Sequence, residues 1–362
     1  MKKISTLVLL CLMGLSASGQ NIVYVDQSAS GANDGTSWAD AYTDLNAALS
    51  NVTSGQHVWV AAGIYKPSSG DREIAFQWDQ DSVEVYGGFA GTETMLSQRD
   101  WQNNTTILSG DIGTLQDASD NSHTLLHGPI DAGGNLLSYA KVDGFTLQDG
   151  MADGNNGPNE RGAGIYINGG VQRFDIENCT LRGNVGEFGA GMWVDVSEMV
   201  MEVNVVNCVF HENEGRRAPA LAGATSGNPG FTNLAMNVVG CTFTRNAIND
   251  QNWTGLTGIV YALAYTDMDM RIANCTFADN VDTGSGTALD DKATILYHRG
   301  TMGAASLQVH NSIFWNNSPR YETRENVTNS SPLFESVVLE NCIAQTPKFA
   351  TGTVPVNVDS LD

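Results

Sequence analysis

Ile176-Glu-Asn-Cys179-Thr-Leu181 is followed 29 residues later by Val205-Val-Asn-Cys208-Val-Phe210. The same pattern stands at Val142-Asp-Gly-Phe145-Thr-Leu147, Val238-Val-Gly-Cys241-Thr-Phe243 and Ile272-Ala-Asn-Cys275-Thr-Phe277. Val309-His-Asn-Ser312-Ile-Phe314 and Leu339-Glu-Asn-Cys342-Ile-Ala344 continue it. Intervals of 29 to 37 residues mark one supersecondary unit repeated, with the variation absorbed in loops. Within each unit, apolar residues sit five and three positions before the Cys, at the Cys, and two positions after it. Each half has the period of two expected of a strand with one buried face. The spacing of three between the halves breaks the inward phase, so a tight turn lies there. Its last residue is Asn178, Asn207, Asn274, Asn311 or Asn341, a type that tolerates the left-handed conformation. Stacked in register, such Asn side chains can hydrogen-bond from coil to coil.

A second Asn column, Asn184, Asn213, Asn246, Asn280 and Asn317, marks the next corner. Beyond it comes a third strand, clearest in Gly162-Ala-Gly-Ile165-Tyr-Ile167 and Gly189-Ala-Gly-Met192-Trp-Val194. Three strands per turn with no helical period between them predict an all-β, right-handed parallel β-helix. Strand-like segments in the N-terminal third (Val58-Trp-Val60, Val83 to Tyr86, Thr106 to Leu108, Thr124 to Leu126) extend it to roughly nine or ten coils at ~4.8 Å each. The same spacing decides the cysteines. Stacked equivalents lie farther apart than the ~3.8 Å between Cβ atoms of a disulfide, which favours free buried thiols over a strained pair such as Cys179–Cys208.

At the N-terminus, Lys2 and Lys3 precede an apolar run from Ile4 to Leu15 that is too short to span a bilayer, and Ala17-Ser18-Gly19 offers a cleavage site. Residues 1–19 are therefore expected to be a signal peptide, 20–56 an N-terminal strand and capping helix, and 57–362 the β-helix. Ser37-Trp-Ala-Asp40 reads as a variant capping box, with Trp38, Tyr42, Leu45, Leu49 and Val52 at helical spacing behind it. Such a helix would plug one end of the solenoid. No comparable plug is legible after Pro355, so either that coil is covered by end-to-end or partner contact or the reading frame is shorter than its relatives. Removing Lys2 and Lys3 takes the formal net charge from −22 to about −24. That surface repels nucleic acid and anionic lipid. No segment beyond the leader is long and apolar enough for a membrane span.

The paired signatures Gly-Ala-Gly-Ile/Met and Phe-x-x-Asn (Phe210 to Asn213, Phe243 to Asn246, Phe277 to Asn280, Phe314 to Asn317) resemble the repeats of polymorphic outer-membrane proteins. The stretches Tyr24-Val-Asp, Gly31 to Trp38, Val60 to Pro67 and Tyr86 to Glu93 are similar to secreted β-helix proteins of Gram-negative bacteria in the pectate-lyase-like superfamily. The resemblance implies a secreted or cell-surface protein, on a fold that carries lyases, hydrolases and non-catalytic adhesins alike.

Each chemistry of that fold needs its own residues. Glycoside hydrolysis needs two carboxylates on one face. Polygalacturonase-like enzymes carry Asn-x-Asp, Asp-Asp, Gly-His-Gly and Arg-Ile-Lys in order; Asp290-Asp291 resembles the second element alone, Arg271-Ile-Ala breaks the last, and His127-Gly128 lacks its preceding Gly and stands out of order. A uronate lyase needs cations beside a base. His211, Arg216 and Arg217 are the candidates, with Arg182 beside His211 on the preceding coil. Sugar binding needs outward aromatics, and strand phase turns Tyr166, Trp193 and Trp315 outward, Trp315 in the slot of Arg182. The loops Asp26 to Asp34 and Asp111 to Asp120 offer oxygen ligands to Ca²⁺ without a recognisable spacing, so no metal site is assigned and no cofactor is required. The sequence thus favours a non-catalytic, adhesin-like or glycan-contacting scaffold, with Tyr166, Arg182, Trp193 and Trp315 as contact residues. The alternative is an extracellular lyase or hydrolase acting on an acidic polysaccharide.

Overall fold

The computed structural model describes residues 22–154, 157–228, 230–249, 257–283, 293–300, 305–317, 321–325, 335–345, 353–356 and 358–360. The expected signal peptide and the Asp290-Asp291 pair lie outside them. The repeat folds as its spacing requires. In one coil, Val171–Glu177 leads to Thr180–Arg182, then Val185–Phe188, then Met192–Ser197. Each strand pairs in parallel with its counterparts one coil before and after, in sheets of eleven, ten, five and seven strands. The protein is a parallel β-helix, and its ten-stranded sheet counts out ten coils among the described residues.

The turn before each Cys has the backbone its sequence demands. Asn178, Asn207, Asn274, Asn311 and Asn341 all have φ between 49° and 56°, and Gly144 and Gly240 take the same place in the other two repeats. The third side of the coil is divided. A short strand follows the Asn184 corner, and Gly189, at φ +55°, then turns the chain into the longer one. A Cβ at Gly189 would lie 2.7 Å from the Met192 carbonyl oxygen, and in the next coil Ala218 takes the same left-handed place at φ +51°.

Three ladders fill the interior. Phe210, Phe243, Phe277 and Phe314 stack with ring centroids 4.6 to 4.9 Å apart and planes within 7°. The Asn ladder runs through the second column, fully buried from Asn184 to Asn280 and half-buried at Asn317. Asn184, Asn213, Asn246 and Asn280 each donate Nδ2–H to the Oδ1 of the next Asn and to a carbonyl of the previous coil. At the first Asn corner the coil-to-coil bond is local, from Asn207 to Asn178 (2.7 Å). The five cysteines among the described residues are free and buried. The backbone N–H of Cys179, Cys208 and Cys241 each donates to the Sγ of the next coil's Cys at 3.4 Å, and Cys275 donates to Ser312 Oγ in the same way. The thiol thus serves as a small acceptor, and burial pushes the Cys208 and Cys342 thiols up, away from reactive thiolate.

The capping helix is shorter than its pattern suggested, spanning Leu45–Leu49 with Asp44 accepting from the Ala47 N–H. Ser37 and Asp40 do exchange hydrogen bonds, but Tyr42 is held by backbone bonds to Tyr24 and Asp26, so no helix begins there. Leu45, Ala48, Leu49 and Val52 join the same core as Val23, Val25 and Val58, closing that end of the stack.

His298 is fully buried on the strand Ala293–Gly300, and neither ring nitrogen has a hydrogen-bond partner. Burial pulls it down to about 4 from the ordinary 6.5. Neutral His298 is tolerated above pH 6.5; below it the unfolded chain binds a proton that the folded one refuses. Stability is therefore lost as pH falls from about 6.5 towards 4, by about 3 kcal/mol in full. Urea titrations at pH 7 and pH 4.5 should differ by most of that amount, and His298→Leu should remove this part of the difference. An equal pH dependence in the variant would contradict the assignment.

Candidate functional site

The outer face of the ten-stranded sheet is open. Its outward positions form one column through Gln148, Arg182, His211, Thr244, Ala278 and Trp315, as the register shows. Trp315 (44 % exposed) and Ile313 beside it (40 %) stand at the far end. At the near end Arg182 is exposed and donates twice to Gln148 Oε1 (3.0 and 2.6 Å). The parallel column, Thr146, Thr180, Val209, Thr242 and Thr276, is rich in hydroxyls.

Next to Arg182 the face deepens into a groove of about 480 Å³, walled by Trp101 and Gln102 on one side and by Thr146, Thr180 and Arg182 on the other. Trp101 arrives on a non-repeating loop that settles onto the sheets because two glycines leave room. A Cβ on Gly88 (φ +94°) would come within 2.5 Å of the Trp101 Cα, and one on Gly144 within 3.1 Å of its Cβ. Arg182 is the only charged residue among those lining the groove. The groove thus offers a half-buried aromatic, hydroxyls and one cation, the set that binds a sugar ring through its apolar face and its hydroxyl groups. It offers no carboxylate or imidazole to move a proton.

The lyase candidates are not brought together. His211 lies on the ten-stranded sheet, 3.3 Å from Glu212. Arg216 and Arg217 lie on Glu214–Arg217 in the five-stranded sheet, past the buried Asn213 corner. Arg216 is ion-paired with Glu187, and the Arg217 guanidinium sits 4.9 Å from the Phe188 ring centre.

Tyr166 and Trp193 do stand outside the main core, as strand phase requires, but they are not available to a sugar. Only 7 % and 4 % exposed, they belong to a second apolar cluster with Tyr261 and Tyr297. Phe188 packs edge-on against Trp193, and Arg161 covers it at 5.4 Å while pairing with Asp195 at 3.0 Å. Desolvation holds the Asp195 carboxyl above its usual range, partly offset by Arg161. Period-two reading assigns a face but does not show what folds over it. Of the four expected contact residues, Arg182 and Trp315 are accessible. Trp101, absent from the sequence-based set, is the aromatic beside Arg182.

Among the described residues no group of three or more His, Cys, Asp or Glu side chains is placed to hold a metal ion. In the Asp26 to Asp34 loop, Asp26 and Asp34 accept from Ser28 and Thr36 in local turns. No helix of the described residues is long and apolar enough to cross a membrane.

No protein-family model matches the sequence, and no curated protein matches it. Among solved structures, the crystal structure of pectate lyase Pel9A aligns with 94 % of this chain and 78 % of its own, at 14 % identity and a TM-score of 0.45.

Proposed function

We propose that this is an exported β-helix that holds a glycan along the outer face of its ten-stranded sheet, seated in the Trp101–Arg182 groove, without transforming it. The observation that carries this reading is the groove itself, which combines an aromatic wall, threonine hydroxyls and a single cation on an open parallel face. The basic and apolar leader over 1–19 supports export, and the resemblance to adhesin repeats supports a secreted or cell-surface setting in a Gram-negative bacterium. The net charge of −22 favours neutral or sparsely carboxylated glycans over dense polyuronates, with Arg182 as the contact for an isolated carboxylate. The separation of His211 from Arg216 and Arg217 on different sheets weighs against the lyase alternative.

Retention on immobilised neutral and acidic polysaccharides tests the proposal. Trp101→Ala should weaken binding at least ~10-fold, the equivalent of one lost aromatic contact, and Arg182→Ala several-fold. Tyr166→Phe should leave it unchanged, because that ring is covered. Wild-type retention in both groove variants, with circular dichroism showing them folded, would remove the groove as the binding site.

A further inference from the structure

The chain leaves the ten-stranded sheet after Thr106–Ser109 and next enters a sheet at Leu126–His127. Between them it closes a loop on itself, with the Ser122 N–H donating to the Gly110 carbonyl at 2.9 Å. Two carboxylates are fixed in this loop by backbone donors. Asp120 Oδ2 accepts from Thr114 N–H (2.6 Å) and Asp111 Oδ2 from Gln116 N–H (3.3 Å). The second oxygen of each, Oδ1, is sealed from solvent and has no hydrogen-bond partner. Two neighbours repeat the anomaly. Asn121 is 7 % exposed and Ser122 fully buried, and Asn121 Oδ1 and Ser122 Oγ are also sealed and unpartnered.

The neck of the loop is anchored on the next coil. Asn121 Nδ2 donates to the Asp149 carbonyl (2.8 Å), and Gly110 lies against that same carbonyl, where a Cβ would come within 2.2 Å. The Asn121 amide is thereby held beside the outgoing stem that carries Asp111, with its oxygen turned from Asp149. Buried acceptors almost always find a donor. Here four lie within twelve residues, and three of them (two carboxylate oxygens and one amide oxygen) have no proton to give each other.

We infer that the loop closed between Gly110 and Ser122 is a Ca²⁺ site, with Asp111, Asp120 and Asn121 supplying side-chain oxygens and the Ser122 hydroxyl completing the protein's set. The donors are all hard oxygens with two formal charges, which suits Ca²⁺; there is no nitrogen or sulfur ligand of the kind zinc takes. Water and backbone carbonyls can fill its remaining positions. Such an ion fastens the loop to the Asp149 corner of the next coil. Through Arg72, which donates to the Asn121 and Met151 carbonyls, it also ties together the part of the solenoid where the repeat is weakest. This inference is independent of the glycan reading, since the loop shares no residue with the lining of the groove.

The test uses the full mature protein, stripped with a chelator and titrated with CaCl₂ by calorimetry. The expected result is one equivalent bound in the micromolar to millimolar range. At 1 mM Ca²⁺ the unfolding midpoint should rise by roughly 5 °C, and thermolysin should cleave more slowly near the exposed Leu115. Asp111→Asn and Asp120→Asn should each lose the heat and the shift, whereas Asp34→Asn, in the other acidic loop, should keep both. If one loop variant fails to fold, the other decides. Absence of heat and shift in the wild type, or binding unchanged in a folded loop variant, would overturn the assignment. An equal response to MgCl₂ would overturn its identification with Ca²⁺.

Discussion

Asn213→Ala is expected to destabilise the protein by about 4 kcal/mol, several times the effect of an ordinary surface change. Asn213 sits in the middle of the buried ladder, fully inaccessible. Its Oδ1 accepts from both the backbone N–H and the Nδ2 of Asn184 (3.2 and 3.0 Å), and its Nδ2 donates to the Leu181 carbonyl and Asn246 Oδ1 (2.8 and 3.0 Å). Alanine leaves the Asn184 backbone N–H without its partner where no solvent reaches it, and takes a donor from the Leu181 carbonyl and from Asn246 Oδ1. Each stranded buried group costs roughly 1–3 kcal/mol. Urea unfolding followed by far-ultraviolet circular dichroism reads the loss. Asn237→Ala is the control: it removes one half-buried coil-to-coil bond, to Asn204 (2.9 Å), and should cost under about 1 kcal/mol. Equal effects of the two would show that the buried ladder does not carry the stack.

Phe243→Ala should cost about 3–5 kcal/mol. The ring lies between Phe210 at 4.8 Å and Phe277 at 4.6 Å, nearly parallel to both, with no exposed surface. Its removal opens a void in a column that cannot collapse, because each coil's backbone is pinned by the sheet bonds on either side. Phe243→Leu should cost less than half as much, since Leu181 and Leu147 already occupy the same column two and three coils earlier. The unfolding midpoint in urea should fall in that order at an unchanged slope. A leucine variant as damaged as the alanine one would mean that ring stacking, rather than volume, fills the core.

The features legible in the sequence are those that recur once per coil. The positive φ of Asn178 and its equivalents was readable because an inward phase break of one residue, at a constant place beside Asn, leaves the backbone little choice. Free cysteines followed from the stacking distance alone. Features that arise where the repeat is irregular were hidden. The division of the third side depends on the left-handed Gly189, which reads as one more glycine in Gly-Ala-Gly. The burial of Trp193 depends on Arg161 and on Phe188, which lie outside the strand that carries the ring. Trp101 reaches its groove on a loop with no counterpart in later coils, so no column of equivalents could reveal it. His298 has alanine as its partner on the preceding coil, and nothing in its strand pattern distinguishes an inward histidine from an outward one.

A glycan that the protein retains should come away from it chemically unchanged. The mature chain would be incubated with each retained polysaccharide, and with pectate and alginate with and without Ca²⁺. Unsaturated uronate would be followed by ultraviolet absorbance, and chain length by size-exclusion chromatography. The expected result is retention that depends on Trp101 and Arg182, with no absorbance gain and no shortening of the polymer. Product that accumulates in the wild type and disappears with Arg182→Ala, or with substitution of His211, Arg216 or Arg217, would contradict it and make the same scaffold a polysaccharide-cleaving enzyme.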